Sequence, residues 1–234
     1  MKTLIAITSW VTGAINGENQ AMRDTFLKDV PRYPGLDYKF FIGNGQSTGE
    51  DETLLTQSYG QVLASHGMKY DNRAPKPCHY DPKSDEVFLT TPDDFKHNCY
   101  KTKYNRRWAN ERKYDFVFQC TSDTYINIDR LMHSGFENHD YVGCTAGCYA
   151  RGGNGYWTSR RAYQRILDEP VTLWAEDWWV GTILVTTGIP LHNDKRYAEH
   201  PSYPTRDNDV ISSHLHDGNT LYTPSMMYEV HKNN

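Results

Sequence analysis

Residues 115–127 read DFVFQCTSDTYIN, and this stretch decides the fold that the sequence predicts. Its Phe-Val-Phe run is nonpolar without alternation, which is typical of a strand covered on both faces. Short oxygen-bearing side chains follow at Thr121, Ser122, Asp123 and Thr124, where strands of α/β sheets usually meet a ligand. The stretch predicts a buried strand that carries Asp123 to the rim of a site, although a strand followed by an ordinary turn has the same pattern.

The composition indicates one domain without a charged partner surface. The chain has 234 residues, enough to bury the core of one α/β domain. A net charge of -4 and a pI of about 6.2 argue against a nucleic-acid or anionic-membrane surface. Tyrosine and tryptophan number 17 and 6, and such rings often line sites for polar, partly nonpolar ligands such as sugars.

The cysteines and the N-terminus indicate a cytoplasmic protein. An odd number of cysteines without a regular spacing favours buried free thiols over a disulfide framework. A disulfide or a metal site at Cys144 and Cys148 is left open. The start, MKTLIAITSW, is nonpolar for too few residues to be a signal peptide or a membrane span. We therefore expect a soluble cytoplasmic protein without a membrane span, of a microbe or of a virus-infected cell. The cysteines are Cys78, Cys99, Cys120, Cys144 and Cys148.

Before residue 127, strands and helices are predicted to alternate, which favours a mainly parallel sheet. Helical spacing begins at Asn19, a candidate N-cap, and continues to Pro31. After residue 127 the alternation weakens, and a glycine cluster, ARGGNGYWTS, is followed by the aromatic and acidic run WAEDWWVG. The predicted strands are 3–9, 38–42, 87–89 and the one from 116, and the further predicted helices are 54–64, 95–111 and 159–167.

Five short motifs, in the same order, resemble those of the β-1,3-galactosyltransferase and Fringe group, glycosyltransferase family 31. Two lie in the first half and three in the second. The first matches at Ala21, Arg23, Thr25 and Phe26, and the second at Asp93, Phe95, His97, Asn98, Cys99, Lys101 and Thr102. The third is the position of the family's acidic triplet with its following residues, Thr121–Asn127. The fourth, G-G-x-G-Y-x-x-S, matches Gly152–Ser159, and the fifth, E-D-V-x-x-G, resembles Glu176–Gly181.

The resemblance implies an inverting glycosyltransferase of the GT-A fold, with a Rossmann-like central sheet flanked by helices. One GT-A domain would span residues 1–234, with a nucleotide-sugar-binding half at 1–127 and an acceptor-binding and catalytic half at 128–234. The implied reaction moves a sugar from a UDP-sugar to a glycan acceptor and forms a β-linkage. The sequence departs from the family at its Asp-Asp-Asp triplet, which is Thr121, Ser122, Asp123 here.

A divalent metal, Mn²⁺ or Mg²⁺, is expected because a leaving diphosphate has to be neutralised. Such ions prefer oxygen ligands, sometimes with one imidazole, and Asp123 could supply an oxygen. The resemblance implies that a histidine near the C-terminus supplies the imidazole. His214 and His216 are two residues apart and would face the same side of a strand. His216 is slightly favoured over His214, and a solvated strand-end histidine is the structural alternative.

Asp177 is the candidate general base, because an inverting reaction needs a group that takes the proton of the attacking hydroxyl. Trp174, Trp178 and Trp179 surround it in sequence and are candidate acceptor-binding residues. The alternatives are that Glu176 and Asp177 merely begin a helix, where acids are favoured, and that the tryptophans belong to the core.

The remaining candidate residues are donor contacts implied by the resemblance. Basic side chains among them suit phosphate, and the glycines suit a close approach of the backbone to the donor. A non-catalytic nucleotide-sugar or carbohydrate-binding domain and a metal-independent transferase are the competing hypotheses. The donor-contact candidates are Thr8, Ser9, Arg23, Asp93, Lys101, Thr121, Ser122, Gly152 and Gly153.

Overall fold

The structure, a computed structural model, describes residues 1–65, 80–198, 203–215 and 222–234. In these ranges the strands lie in the order that follows. They are β1 (Thr3–Thr8), β2 (Leu36–Gly43), β3 (Glu86–Leu89), β4 (Phe116–Thr121), β5 (Thr124–Ile126), β6 (Tyr141–Gly143), β7 (Tyr156–Ser159), β8 (His192–Asn193), β9 (Tyr197–Ala198) and β10 (Ser212–His214).

Helices connect most of these strands in the same ranges. The α-helices are α1 (Val11–Ile15), α2 (Glu18–Asp24), α3 (Thr53–Ser65), α4 (Asn98–Glu111), α5 (Ile128–Met132), α6 (Arg160–Asp168), α7 (Glu176–Thr186) and α8 (Pro224–Lys232). Short 3-10 helices span Phe26–Arg32, Phe136–Asn138 and Gly152–Asn154.

The strands of the described residues form a seven-stranded sheet in the order β3-β2-β1-β4-β7-β6-β8 and a three-stranded sheet in the order β5-β10-β9. The pairs β3-β2, β2-β1 and β1-β4 are parallel, so their carboxyl ends share one edge. Strand β7 runs antiparallel to both β4 and β6. The predicted α/β class, with a mostly parallel sheet flanked by helices, is confirmed, and β7 is the reversed strand within it.

The core lies on both faces of the large sheet. Strand β1 is buried at every position, with Leu4 and Ala6 in the cluster under α4, α6 and α7, and Ile5 and Ile7 in the cluster that also contains residues of α2 and α8. Nonpolar residues at successive positions are what a strand covered on both faces requires. This explains why its sequence does not alternate.

The prediction that Asn19 caps the first long helix is wrong. Helix α2 begins at Glu18, and its N-cap is Gly17, whose positive φ of 92° suits glycine. Asn19 is fully buried inside the helix. Its side chain accepts a hydrogen bond from Ser9 Oγ at 2.7 Å and donates to Glu86 Oε1 at 3.2 Å, so it ties the end of β1 to β3.

Most other predicted elements are found with shifted ends. The strand predicted at 38–42 lies within β2, and the helix predicted at 54–64 lies within α3. The helix predicted from 95 begins at Asn98, three residues late. The helix predicted at 159–167 is α6, with Ser159 as its N-cap: Ser159 Oγ accepts from Ala162 N at 3.2 Å.

Two further features bear on the predictions made from composition. Cys99 and Cys120 are buried free thiols, whereas Cys148 is exposed; Cys78 lies outside the described residues. Within the described ranges, no helix has both the length and the nonpolar character needed to cross a bilayer.

Candidate functional site

Asp123 and His214 form an ion pair at the carboxyl edge of the sheet. Asp123 lies in the tight turn between β4 and β5, and β10 pairs antiparallel with β5 so that His214 stands opposite Thr124. His214 Nε2 is 3.0 Å from Asp123 Oδ2. The backbone supports the pair, because Leu215 N donates to Asp123 O at 2.9 Å. His214 is thus the C-terminal histidine that contacts Asp123 within the described residues. The predicted metal-binding role of the two stays a prediction, and His216, which the sequence slightly favoured, lies outside the described residues.

The pair is partly buried, with 22% of the Asp123 side chain and 29% of the His214 side chain exposed. Burial alone would raise the pKa of Asp123, but the hydrogen bond and charge of His214, together with the Thr121 hydroxyl, hold that pKa below its usual value. Burial lowers the pKa of His214, and the Asp123 carboxylate outweighs it, so the pKa is raised. The geometry therefore favours a carboxylate and an imidazolium when no other cation is present.

Thr121 and Ser122, which stand where family 31 has carboxylates, are engaged in short internal hydrogen bonds. Thr121 Oγ1 donates to Asp123 Oδ1 at 2.5 Å, and Ser122 Oγ donates to Glu18 Oε2 at 2.6 Å. Burial and the nearby charge of Asp123 raise the pKa of Glu18, although the Ser122 hydroxyl opposes this. Glu18 is a site residue that the sequence reasoning missed; its signal was an acid directly after the polar loop that follows β1.

The Asp123–His214 pair fits a hard divalent cation. In an octahedral site with ligands at about 2.1 Å, neighbouring donor atoms lie about 3 Å apart, which matches the 3.0 Å between Oδ2 and Nε2. The described residues contain no cluster of three or more His, Cys, Asp or Glu side chains suited to a metal. A cation bound here would take its other ligands from substrate oxygens and water, as Mg²⁺ usually does.

The turn at Gly152–Asn154 separates this pair from a second acidic pair. A Cβ on Gly153 would lie 2.7 Å from the His214 ring, and Gly153 O accepts from the Thr124 hydroxyl at 2.9 Å. On the other side, Gly152 N donates to Asp177 Oδ2 at 3.1 Å. The two glycines therefore allow His214 and Asp177 to approach the same stretch of backbone from opposite sides.

Glu176 and Asp177 lie in the first turn of α7, as the structural alternative predicted. Asp177 accepts from two backbone N–H groups, those of Gly152 and of Trp178, the latter at 2.8 Å. Glu176 Oε1 instead accepts from the hydroxyls of Tyr156 and Thr102. Burial, and then the charge of Asp177, raises the pKa of Glu176 to about 7. The roles predicted for Asp177 are untested by this geometry and stay a prediction.

Lys101 and Asp93 hold the ends of β1 and β2 together below the rim. Lys101 is 1% exposed, and its Nζ donates to Asp93 Oδ1 at 2.7 Å and to Ser9 O at 3.0 Å. Asp93 also accepts from Val11 N at 2.7 Å and from Gly43 N at 3.1 Å. These bonds give both residues a supporting role at the sheet edge, and direct contact with a nucleotide stays a prediction.

Arg23 belongs to another cluster. Its guanidinium donates to both carboxylate oxygens of Asp85 at 2.8 Å and to Glu86 Oε1 at 2.7 Å. It also stacks over Phe40, 4.7 Å from the ring centre. This arrangement links α2 to β2 and β3, and the predicted phosphate contact of Arg23 stays a prediction.

The three predicted acceptor-binding tryptophans have different surroundings. Trp179 is 1% exposed in the core, and its Nε1 donates to Pro170 O at 3.1 Å. Trp178 is 45% exposed beside Asp177. Trp174 packs between Tyr59 and Phe95, with ring centres 5.3 and 5.6 Å away. Of the three, Trp178 is exposed, Trp174 is half-buried and Trp179 is buried.

No protein-family model and no curated protein match the sequence. Among solved structures, a cytidylyltransferase from Leptospira borgpetersenii serovar Hardjo-bovis is 12% identical, with a TM-score of 0.47 over 83% of this chain and 77% of that chain. The inositol-1-phosphate CTP transferase from T. maritima is 10% identical, with a TM-score of 0.45 over 98% of this chain and 96% of that one. Likeness at this level concerns the chain trace and carries no activity over to this protein.

The assignment to glycosyltransferase family 31 is corrected by these comparisons, and so is the predicted transfer of a sugar from a UDP-sugar to a glycan. No family model matches, and the two solved structures are cytidylyl or CTP transferases rather than galactosyltransferases. The physical weakness of the resemblance lies at its centre. Thr121 and Ser122 carry neutral hydroxyls where the family has carboxylates, and these hydroxyls donate to Asp123 and Glu18.

Proposed function

We propose that this protein is a transferase whose donor substrate is a nucleotide with at least two phosphates, bound at the carboxyl edge of the sheet with a divalent cation. The observation that carries the proposal is the pair of atoms that could bind a metal, Asp123 Oδ2 and His214 Nε2. They lie 3.0 Å apart on side chains that are partly exposed to solvent. In α/β sheets, ligands bind outside the carboxyl ends of the strands. Mn²⁺ or Mg²⁺ held there would neutralise charge on the phosphates of the leaving group.

The residues around the pair have distinct parts in this proposal. Asp123 and His214 hold the cation, and the hydroxyl of Thr121 keeps Asp123 Oδ1 oriented. The end of β1, at Thr8 and Ser9, lies beside β4 and forms the nucleotide side of the rim. Asp177, fixed by two backbone N–H groups, takes the proton of the attacking acceptor group.

The finer classification of the fold as GT-A belongs to the same proposal. It is supported by the parallel strands β3-β2-β1-β4 followed by the reversed β7, with the candidate cation ligand directly after β4. A crystal structure with a bound nucleotide tests it: the nucleotide should lie over the carboxyl ends of β1 and β4. Binding on the opposite edge would contradict the classification.

Calorimetric titration with nucleoside di- and triphosphates, in Mn²⁺ and then in EDTA, tests the site. We expect binding in Mn²⁺ and at least a roughly tenfold loss of affinity in EDTA or on Asp123→Asn, because charge-assisted contacts to the cation disappear. His214→Gln is a second variant with the same expected direction. Asp207→Asn, at an exposed carboxylate, is the matched control and should bind like the wild type.

Turnover is followed by ³¹P NMR of the nucleotide in Mn²⁺. Asp177→Asn should retain nucleotide affinity and lose about 10²- to 10⁴-fold in rate, the usual contribution of a general base. Absence of nucleotide binding, or equal binding in EDTA and by Asp123→Asn, overturns the proposed site. Tight binding with no phosphorus product for any acceptor tried overturns the transferase part alone.

A further inference from the structure

Arg106 is a fully buried cation whose charge has no carboxylate in hydrogen-bonding contact among the described residues. It lies on α4 at 0% exposure, and its Nε and Nη2 have no hydrogen-bond partner in the described part of the chain. Its guanidinium lies 5.7 Å from the ring centre of Tyr156. Burying a charge with unsatisfied donors is costly, so the bonds that this guanidinium does make are of interest.

The one guanidinium nitrogen that is bonded sets the direction of a hydrogen-bond chain. Arg106 Nη1 donates to Gln119 Oε1, and to Asn105 Oδ1 at 2.7 Å, while Asn105 Nδ2 donates to the same Gln119 oxygen at 2.9 Å. A guanidinium can only donate, so the side-chain amides that it bonds must present their oxygens to it. The amide nitrogen of Gln119 therefore points away from Arg106, and this Nε2 donates to Thr8 Oγ1 at 2.7 Å.

This direction determines what the Thr8 hydroxyl can do. Its oxygen accepts from Gln119, so its own proton has to be offered elsewhere. No acceptor for that proton is found within the described residues, and Thr8 keeps 7% exposure at the end of β1. Its neighbour on β4 is Thr121, and Thr8 O accepts from Ser122 N at 3.2 Å, so Thr8 lies beside the turn that carries Asp123.

We infer that Arg106 and Gln119 are positioning residues that hold the Thr8 hydroxyl as a hydrogen-bond donor for the bound nucleotide. The inference rests on the proposed function, because it assumes that a nucleotide occupies this rim. The atom recognised would be a hydrogen-bond acceptor, such as a ring nitrogen of the base or an oxygen of a carbonyl, ribose or phosphate group. A nucleotide presenting an amino group there would meet a donor with a donor and bind less well.

Gln119→Glu and Thr8→Val form a double-mutant cycle that tests this. The carboxylate keeps the bonds from Arg106 and Asn105 but offers no N–H, so Thr8 has to donate inward to it. The negative charge that Gln119→Glu adds also repels a nucleotide, and the resulting loss of affinity is the same with or without the Thr8 hydroxyl. The effect of Gln119→Glu on affinity, compared between the wild type and Thr8→Val, therefore isolates the contribution of the Thr8 hydroxyl as a donor to the nucleotide.

Calorimetry with Mn²⁺ and the tightest-binding nucleotide gives the readout. We expect Gln119→Glu to weaken binding about fivefold to tenfold more in the wild type than in Thr8→Val, the size of one hydrogen bond. The melting temperature of Gln119→Glu should not fall, because Arg106 gains a counter-ion. Gln164→Glu, at an exposed position of α6, is the control for a distant added charge.

The outcomes separate the inference from the proposal beneath it. Equal losses in the two backgrounds, with the wild type binding nucleotide, overturn the positioning role and leave the proposed function standing. If melting falls and affinity changes are additive, Gln119 is only structural, and the inference is again overturned. A wild type that binds no nucleotide overturns the proposed function, and this inference with it.

Discussion

At the scale of single residues, Glu176 and Asp177 are neighbours in the chain with different hydrogen-bond partners. Asp177 accepts hydrogen bonds from two backbone N–H groups, those of Gly152 and Trp178. Glu176 is desolvated and lies beside the charge of Asp177, which raises its pKa to about 7. The groups facing it are Tyr156 of β7, Tyr141 of β6, and Thr102, Cys99 and Arg106 of α4.

The raised pKa of Glu176 predicts a stability that falls as pH rises. The unfolded chain loses this proton near pH 4.5 and the folded chain near 7. Between these values the folded state binds more protons, so its free energy of unfolding decreases with pH. The free energy of unfolding of Glu176→Gln, minus that of the wild type, should therefore increase by roughly 3 kcal/mol from about pH 4.5 to pH 7.5. Urea unfolding at several pH values measures this.

The control is Glu169→Gln, at an exposed carboxylate after α6, whose difference from wild type should stay within about 0.5 kcal/mol across the range. If the wild-type and Glu176→Gln stabilities run parallel from pH 4.5 to 7.5, Glu176 does not keep its proton in the folded protein.

At the scale of elements, the 3-10 turn Gly152–Asn154 sets the spacing between the ion pair and α7. Its backbone touches Thr124 on one side and Asp177 on the other. The next residue, Gly155, has a φ of 83°, and a Cβ there would lie 2.3 Å from Phe118. The close packing around the turn therefore depends on glycine at positions 153 and 155.

Gly153→Ala should weaken Mn²⁺-dependent nucleotide binding about tenfold. Its Cβ would stand 2.7 Å from Cγ and Nδ1 of His214, so the imidazole has to move away from Asp123. We expect a stability cost of about 1 to 3 kcal/mol, as for other overpacked positions. Calorimetry and urea unfolding measure the two effects.

Gly60→Ala is the matched control, since nothing lies within 4 Å of the added Cβ in helix α3. It should leave binding unchanged and stabilise the protein by about 0.5 to 1 kcal/mol. Wild-type affinity in a folded Gly153→Ala protein would show that the His214 ring is not needed where it lies.

At the scale of the whole molecule, residues distant in sequence share one core. The central sheet takes β1 to β4 from the first half of the chain and β6 to β8 from the second. Helix α8, near the C-terminus, buries Met227 and Val230 in the same cluster as Met22 of α2 and Phe118 of β4. We therefore expect the first and last elements to unfold together.

Met227→Ala should lower the free energy of unfolding by about 2 to 5 kcal/mol, because it leaves a cavity at a fully buried position. Urea unfolding followed by tryptophan fluorescence and by circular dichroism checks both the size and the cooperativity. Glu229→Ala, on the exposed side of α8, should change stability by less than about 0.5 kcal/mol. A loss below 1 kcal/mol, or transitions that do not coincide, would mean that α8 unfolds separately.

Local patterns were sufficient for the strands β1, β2 and β4 and for the helices α3 and α6. A nonpolar run such as Phe116–Phe118 specifies a buried strand by itself, and Ser159 marks the start of α6 through its own side chain. The cap at Asn19 was mispredicted for the opposite reason. Its amide meets Ser9 and Glu86, and Glu86 is 67 residues away in the chain.

The sequence by itself determined that Asp123 would directly follow a buried strand, at an edge of the sheet, because a nonpolar run and the polar residues after it act locally. Only the tertiary structure decided its partners. His214, 91 residues later, reaches Asp123 through the pairing of β10 with β5. Glu18, 104 residues before Ser122, accepts a hydrogen bond from the Ser122 hydroxyl. Strand order and register, which depend on packing across the whole chain, bring such groups together, and no local pattern encodes them.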